Sequence, residues 1–281
     1  MEIRRKVSPG GLWRSLYPVL VYPLAQFLAQ IFYALVILAP ALIREQGLEP
    51  GDLEIQIAER LLEGTMVIII FAAACTIPLF GWLYYRDIQK KKAMGWRDEW
   101  FPLTEGRLLW AVLGSAALAL FCNQLVSLMP LSMWTEDYEE VSEALNTGGI
   151  WLQIIGAGFL APAVEELMMR GLVYQRFRQM MRPGPAMFWS ALAFGIFHGN
   201  VIQGIYAFLV GLFFAWLMER FQRILVPMVA HMSANLFVIL LEDMGGMELI
   251  YGSLTGFFLS LFLSGMIALA VIRILRAPDC P

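Results

Sequence analysis

The polar residues able to do chemistry are few, and they crowd into the second half of the chain. Glu165 and Glu166 are adjacent in GFLAPAVEELMMRGLVYQRF, and Arg170 follows Glu166 by four residues. On a helix that spacing is about one turn, so Glu166 and Arg170 can neutralise each other. Glu165 points roughly 100° away around the same helix and must meet water or a group on another helix. The chain has two histidines, His198 in AFGIFHGN and His231 in PMVAHMSANLF. His231 and Asn235 are four apart and share a helix face, so an imidazole and a carboxamide can point at one oxygen. A glutamate, two histidines and an asparagine on three helices resemble a hydrolytic site in which a carboxylate and an imidazole activate water.

Each residue also has a structural reading. Both carboxylates could serve only a buried ion network around Arg170, and a lone histidine is more often structural than reactive. An asparagine between packed membrane helices commonly makes an interhelical hydrogen bond. Gly195, Gly199, Gly204 and Gly211, with Ala191, Ala193, Ala230, Ser233 and Ala234, read as small surfaces that let helices approach. Cys75, Cys122 and Cys280 have no paired spacing that suggests a disulfide or a metal site.

The elements that must position these groups are membrane helices. Hydrophobic residues make up 59% of the 281-residue chain and charged ones 15%, whereas a soluble domain holds about a quarter charged residues. A membrane-crossing helix needs about 20 mostly apolar residues. Candidate spans run from Tyr17 to Ile43, Thr65 to Tyr85, Leu108 to Met129, Ile150 to Leu172, Ala186 to Phe197, Val201 to Met218, Ile224 to Leu241, and Ile250 to Ile274. The fold expected is therefore all-α, a polytopic transmembrane bundle of about eight helices forming one membrane domain over 1–281. Its catalytic helices lie in 150–242. The fifth span is short and the junction at His198, Gly199 and Asn200 is tight, which suits a hairpin that does not fully cross. The basic start of the chain is followed by an apolar run too long for a signal-peptide core, which predicts a retained first helix.

Linker charge sets the expected orientation. Arg4, Arg5, Lys6 and Arg14 come first, followed by an acidic linker with Glu45, Glu49, Asp52, Glu54, Glu59 and Glu63. The next linker is basic, with Arg86, Lys90, Lys91, Lys92, Arg97 and Arg107, and the one after it acidic, with Glu136, Asp137, Glu139, Glu140 and Glu143. Arg170, Arg176, Arg178 and Arg182 follow; then Arg220 and Arg223 face the basic side, Glu242, Asp243 and Glu248 the other, and Arg273 and Arg276 return to the first. The positive-inside rule makes both termini and every basic linker cytoplasmic. Residues 44–63 mix charges with Leu48, Leu53, Ile55, Ile57, Leu61 and Leu62, which suits an amphipathic surface helix. There is no internal repeat and no nucleotide-binding glycine loop. The expected partners are membrane lipid and a peptide or protein substrate, with no nucleic acid; the oligomeric state is left open.

The ordered set E-E-x-x-x-R at Glu165, Glu166 and Arg170, F-x-x-x-H at Phe194 and His198, and H-x-x-x-N at His231 and Asn235 resembles the CPBP family. That family comprises CAAX-prenyl-protease-like and bacteriocin-processing, or Abi-like, membrane proteins regarded as intramembrane glutamic endopeptidases. Every motif position is filled over roughly a quarter of the chain. The resemblance implies that Glu165, assisted by His198, activates water, that His231 and Asn235 stabilise the oxyanion, and that Glu166 and Arg170 support the site. It implies no cofactor or metal, and a plasma (inner) membrane location in a prokaryote. Zinc is the alternative mechanism, since glutamate and histidine also bind it, but there is no H-E-x-x-H pair. A non-enzymatic immunity or scaffolding protein, or a transporter using Glu165 as a proton site, belongs to a different class. The substrate, and whether it is prenylated, does not follow from the motif.

Overall fold

In the computed structural model, residues 7–40, 50–95, 103–130, 144–145 and 148–277 are described, with side chains omitted at 50–54. These residues form an all-helical bundle: α1 (Pro9–Leu38), α2 (Pro50–Glu63), α3 (Thr65–Ala93), α4 (Glu105–Ser127), α5 (Ile150–Phe177), α6 (Pro183–Phe197), α7 (Val201–Phe221), α8 (Leu225–Asp243), α9 (Gly246–Tyr251) and α10 (Leu254–Arg276). Seven of them (α1, α3, α4, α5, α7, α8 and α10) are long and apolar enough to cross a membrane, and α6 is a shorter apolar helix. Leu20, Leu24, Phe27, Leu28 and Ile31 on α1 are exposed, as are Leu259, Phe262, Leu263, Met266 and Leu269 on α10. Apolar surface of that extent is stable against lipid and costly against water. The protein is a multi-pass integral membrane protein.

Local chemistry sets the helix ends. Ser8 accepts a hydrogen bond from the Gly11 amide at 3.2 Å and Pro9 opens α1, so the helix starts eight residues before the expected Tyr17. The span expected from Ile250 to Ile274 is divided instead. Gly252 ends α9, and Ser253 caps α10 by accepting from the Gly256 amide at 3.0 Å. The helix over Pro50–Glu63 coincides with the expected amphipathic segment; Ile57, Leu61 and Leu62 are half-buried and Ile55 is exposed. Residues 44–49 of that reading, including Leu48, lie outside the described residues, as do the acidic linker from Glu136 to Glu143 and Cys280.

Helix α5 is the centre of the bundle, touching α1, α3, α6, α7 and α8. One buried core joins α1, α3, α5 and α6, and includes Tyr22, Phe80, Met168, Tyr174 and Phe194; another joins α4, α7, α8 and α10 through Ala119, Phe214, Phe221, Ala230 and Val271. The polar residues of α5 lie at the seam between them. At the tip of the α6–α7 hairpin Gly199 takes φ +79°, a left-handed turn suited to glycine. Asn200 then caps α7 by accepting from the Gln203 amide at 2.7 Å. The two helices meet where a Cβ on Gly195 would stand 2.6 Å from the Gly204 carbonyl oxygen, so this contact requires glycine.

The basic side chains gather at one end of the bundle. Asp87 near the end of α3 pairs with Arg14 at 2.9 Å and with Arg176 at 2.7 Å, tying the start of α1 and the end of α5 together. Lys91 donates to Gln175, Arg178 pairs with Glu219 at 2.9 Å, and Arg220 donates to the Leu275 and Arg276 carbonyls at 3.3 and 3.0 Å. The described start and end of the chain therefore share this end.

Candidate active site

Helix α5 is not a uniform α-helix. Its α-helical segment Ala161–Glu166 is flanked by π-helical turns over Ile154–Leu160 and Leu167–Tyr174. Wide turns of this kind shift the facing of side chains and recur at functional sites. Glu165 and Glu166 end the segment between them, and the two carboxylates have different surroundings.

Glu166 and Arg170 have fully buried side chains. Arg170 Nη1 donates to Glu166 Oε1 at 2.9 Å, and its Nη2 donates to the Gly211 carbonyl at 2.8 Å. A Cβ on Gly211 would stand 3.2 Å from that Nη2 and 3.0 Å from the Phe194 ring, so the glycine keeps the approach open. The guanidinium lies 4.6 Å from the Phe194 ring centroid and 5.4 Å from that of Phe214, a cation–π setting that offsets part of its desolvation. Glu166 Oε1 also accepts from His231 Nδ1 at 2.9 Å. Glu166 is thus a buried junction between α5 and α8, and its Oε2 has no hydrogen-bond partner among the described residues.

Glu165 faces a cavity of about 260 Å³, and 13% of its side chain is exposed. His231 Nε2 lies 3.7 Å from Glu165 Oε2, too long for a hydrogen bond. His198, His231 and Asn235 line the same cavity, so the four residues expected to take part in the reaction surround one space, while Glu166 and Arg170 lie behind it. His198 Nδ1 lies 2.7 Å from the Phe194 carbonyl oxygen. A carbonyl can only accept, so Nδ1 carries the proton and Nε2 is left free. Phe194 stands edge-on to both imidazoles, with centroids 4.7 Å from His198 and 5.7 Å from His231, while Phe214 stacks on His231 at 4.7 Å. One ring therefore braces both histidines and covers Arg170.

Asn235 Nδ2 donates to the Ala157 carbonyl of α5 at 2.9 Å. This is an interhelical hydrogen bond of the ordinary structural kind, and it leaves a second amide hydrogen available. Tyr22 and Gln26 on α1 and Gln203 on α7 also line the cavity. The Tyr22 hydroxyl is buried without a hydrogen-bond partner among the described residues, and Tyr22 lines the same cavity as Glu165. Sequence reasoning missed all three; the one local signal was the i, i+4 spacing of Tyr22 and Gln26 in an apolar helix. Among the described residues, no three His, Cys, Asp or Glu side chains converge as metal ligands. Cys75 is exposed, Cys122 is buried, and neither is in a disulfide.

Comparison with known proteins follows the same residues. A family model described as type II CAAX prenyl endopeptidase Rce1-like matches residues 147–237, which hold Glu165, His198, His231 and Asn235. A protein of Bacillus subtilis (strain 168), named putative membrane peptidase YdiL, is 24% identical over 185 residues, covering 64% of this chain and 72% of that protein. No solved structure matches the chain.

Proposed function

We propose that this chain, similar over residues 147–237 to the type II CAAX prenyl endopeptidase Rce1-like family, is a membrane peptidase of the CAAX-protease-like, or CPBP, kind, a glutamate-dependent endopeptidase whose general base is Glu165. The supporting observation is the contrast between the adjacent carboxylates: Glu166 is held by Arg170 and His231, whereas Glu165 faces the cavity with no hydrogen bond among the described residues. A base must be free to reach water, and Glu165 alone has that freedom.

In the proposed reaction a water molecule lies between Glu165 and the free Nε2 of His198. Glu165 takes one proton as the water oxygen adds to the peptide carbonyl carbon. The oxyanion accepts hydrogen bonds from His231 Nε2 and from the second amide hydrogen of Asn235. For His231 this role requires protons on both nitrogens, since Nδ1–H already faces Glu166. Collapse of the tetrahedral intermediate breaks the C–N bond, and the proton held by Glu165 passes to the leaving amine. Glu166 and Arg170 act through His231, as positioning residues. The expected setting is a prokaryotic plasma membrane.

Substrate trapping tests this reading. Glu165→Gln protein in native membranes should retain peptides that purified wild-type protein then cleaves, in the presence of a strong chelator as well as without it. Loss of cleavage in chelator, restored by zinc, would favour the metal mechanism. Cleavage by Glu165→Gln at the wild-type rate would remove Glu165 as the base.

A further inference from the structure

A second cavity, of about 440 Å³, adjoins the first, and Gln26, Ile69 and Leu145 line both. Its other walls come from α1, the last turn of α2 and the start of α3, including Phe27, Gln30, Leu61 and Thr65. Every lining residue lies outside 147–237, the segment shared with the family model. Its position along the helices is informative. Gln30 is near the end of α1, and Thr65 is the first residue of α3. Arg14 and Lys90 to Lys92, at the opposite ends of these two helices, belong to the basic end of the bundle. The second cavity therefore lies toward the end away from the basic side chains.

Its walls are apolar except for a few groups. Phe27 and Gln30 are exposed and Gln26 is half-buried, and among the described residues neither glutamine side chain makes a hydrogen bond. Carboxamides offer both donors and acceptors, as a peptide backbone does. A segment of extended chain needs such partners when it leaves water for an apolar groove, because unpaired amides there are costly. Gln26 and Gln30 are four apart and share a face of α1, and Gln26 reaches into the space that holds Glu165.

Resting on the peptidase reading above, we propose that substrate reaches Glu165 as an extended peptide through this groove, entering from the end opposite the basic linkers, with Gln26 and Gln30 holding its backbone. By the positive-inside rule the basic end is cytoplasmic, so the segment cut is presented from the non-cytoplasmic side. Selection among substrates then falls to α1, α2 and α3.

Single-cysteine proteins test the route without relying on activity. With Cys75, Cys122 and Cys280 replaced by serine, Gln26→Cys, Gln30→Cys and, at the basic end, Met94→Cys are exposed to a membrane-impermeant sulfonated maleimide in right-side-out and inside-out vesicles. Gln26→Cys and Gln30→Cys should label from the face opposite to that which labels Met94→Cys. Alkylation at either position should slow cleavage of a trapped peptide by tenfold or more with the melting temperature unchanged. Labelling from the Met94 face, no labelling from either face, or full cleavage after alkylation would each overturn the route. Absence of Glu165-dependent cleavage by unlabelled wild-type protein would instead remove the peptidase reading, and the peptide as occupant, whichever face the labels reach.

Discussion

Two adjacent glutamates separate the labour of the site. Glu166 is engaged by Arg170 and His231 at 2.9 Å each, and Glu165 faces open space. Arg170→Ala would strip Glu166 of its guanidinium partner, and breaking a buried pair costs about 3 to 5 kcal/mol. A marked drop in melting temperature should therefore accompany any lost activity; a variant as stable as wild type but inactive would move Arg170 into the reaction itself. Asn235→Ala should slow single-turnover cleavage by about 10² to 10³, the usual effect of losing one oxyanion donor. A loss of the same size in melting stability alone, with turnover intact, would leave only its bond to Ala157. Tyr22→Phe removes a buried hydroxyl that has no hydrogen-bond partner among the described residues. It should leave stability unchanged and lower the cleavage rate if that hydroxyl touches bound substrate or water; an unchanged rate would confine Tyr22 to packing. The sequence made the glutamates, histidines and asparagine legible because charge and imidazole are rare in apolar helices. Tyr22 was hidden because its place in the cavity that holds Glu165 comes from packing of α1 against α5, which spacing along the chain does not encode.

The elements explain how such groups are brought together. Apolar length located the helices, and the tight sequence around Gly199 marked the α6–α7 hairpin. The division between α9 and α10 escaped because a serine cap inside an apolar run leaves hydropathy almost unchanged. The π-helical turns of α5 escaped for a related reason: regular periodicity assumes 3.6 residues per turn, and a wide turn has no composition of its own. At the hairpin a Cβ on Gly195 would meet backbone 2.6 Å away, and backbone gives way poorly. Gly195→Ala should therefore lower stability by about 1 to 3 kcal/mol, the range for overpacking. It should also reduce cleavage, because His198 ends the same helix. Unchanged melting and activity would show that α6 and α7 can separate there without moving His198.

At the scale of the whole molecule, two buried cores meet along α5, basic residues hold one end together, and a groove opens toward the other. Reporters fused within 87–106 and 174–185 should read cytoplasmic, and those within 45–62 and 136–148 non-cytoplasmic; a non-cytoplasmic signal from the Lys90–Lys92 region would invert the molecule and the side from which substrate enters. The role of Glu165 does not depend on that orientation. Its most direct test is single-turnover cleavage of a trapped peptide by wild-type, Glu165→Gln, His198→Ala and doubly substituted protein, each matched for melting temperature and assayed in chelator. Groups acting on one water should show strongly non-additive losses: Glu165→Gln abolishes cleavage, and adding His198→Ala costs little more. Measurable turnover by Glu165→Gln close to that of wild type, or losses that simply multiply in the double variant, would contradict a water activated jointly by Glu165 and His198.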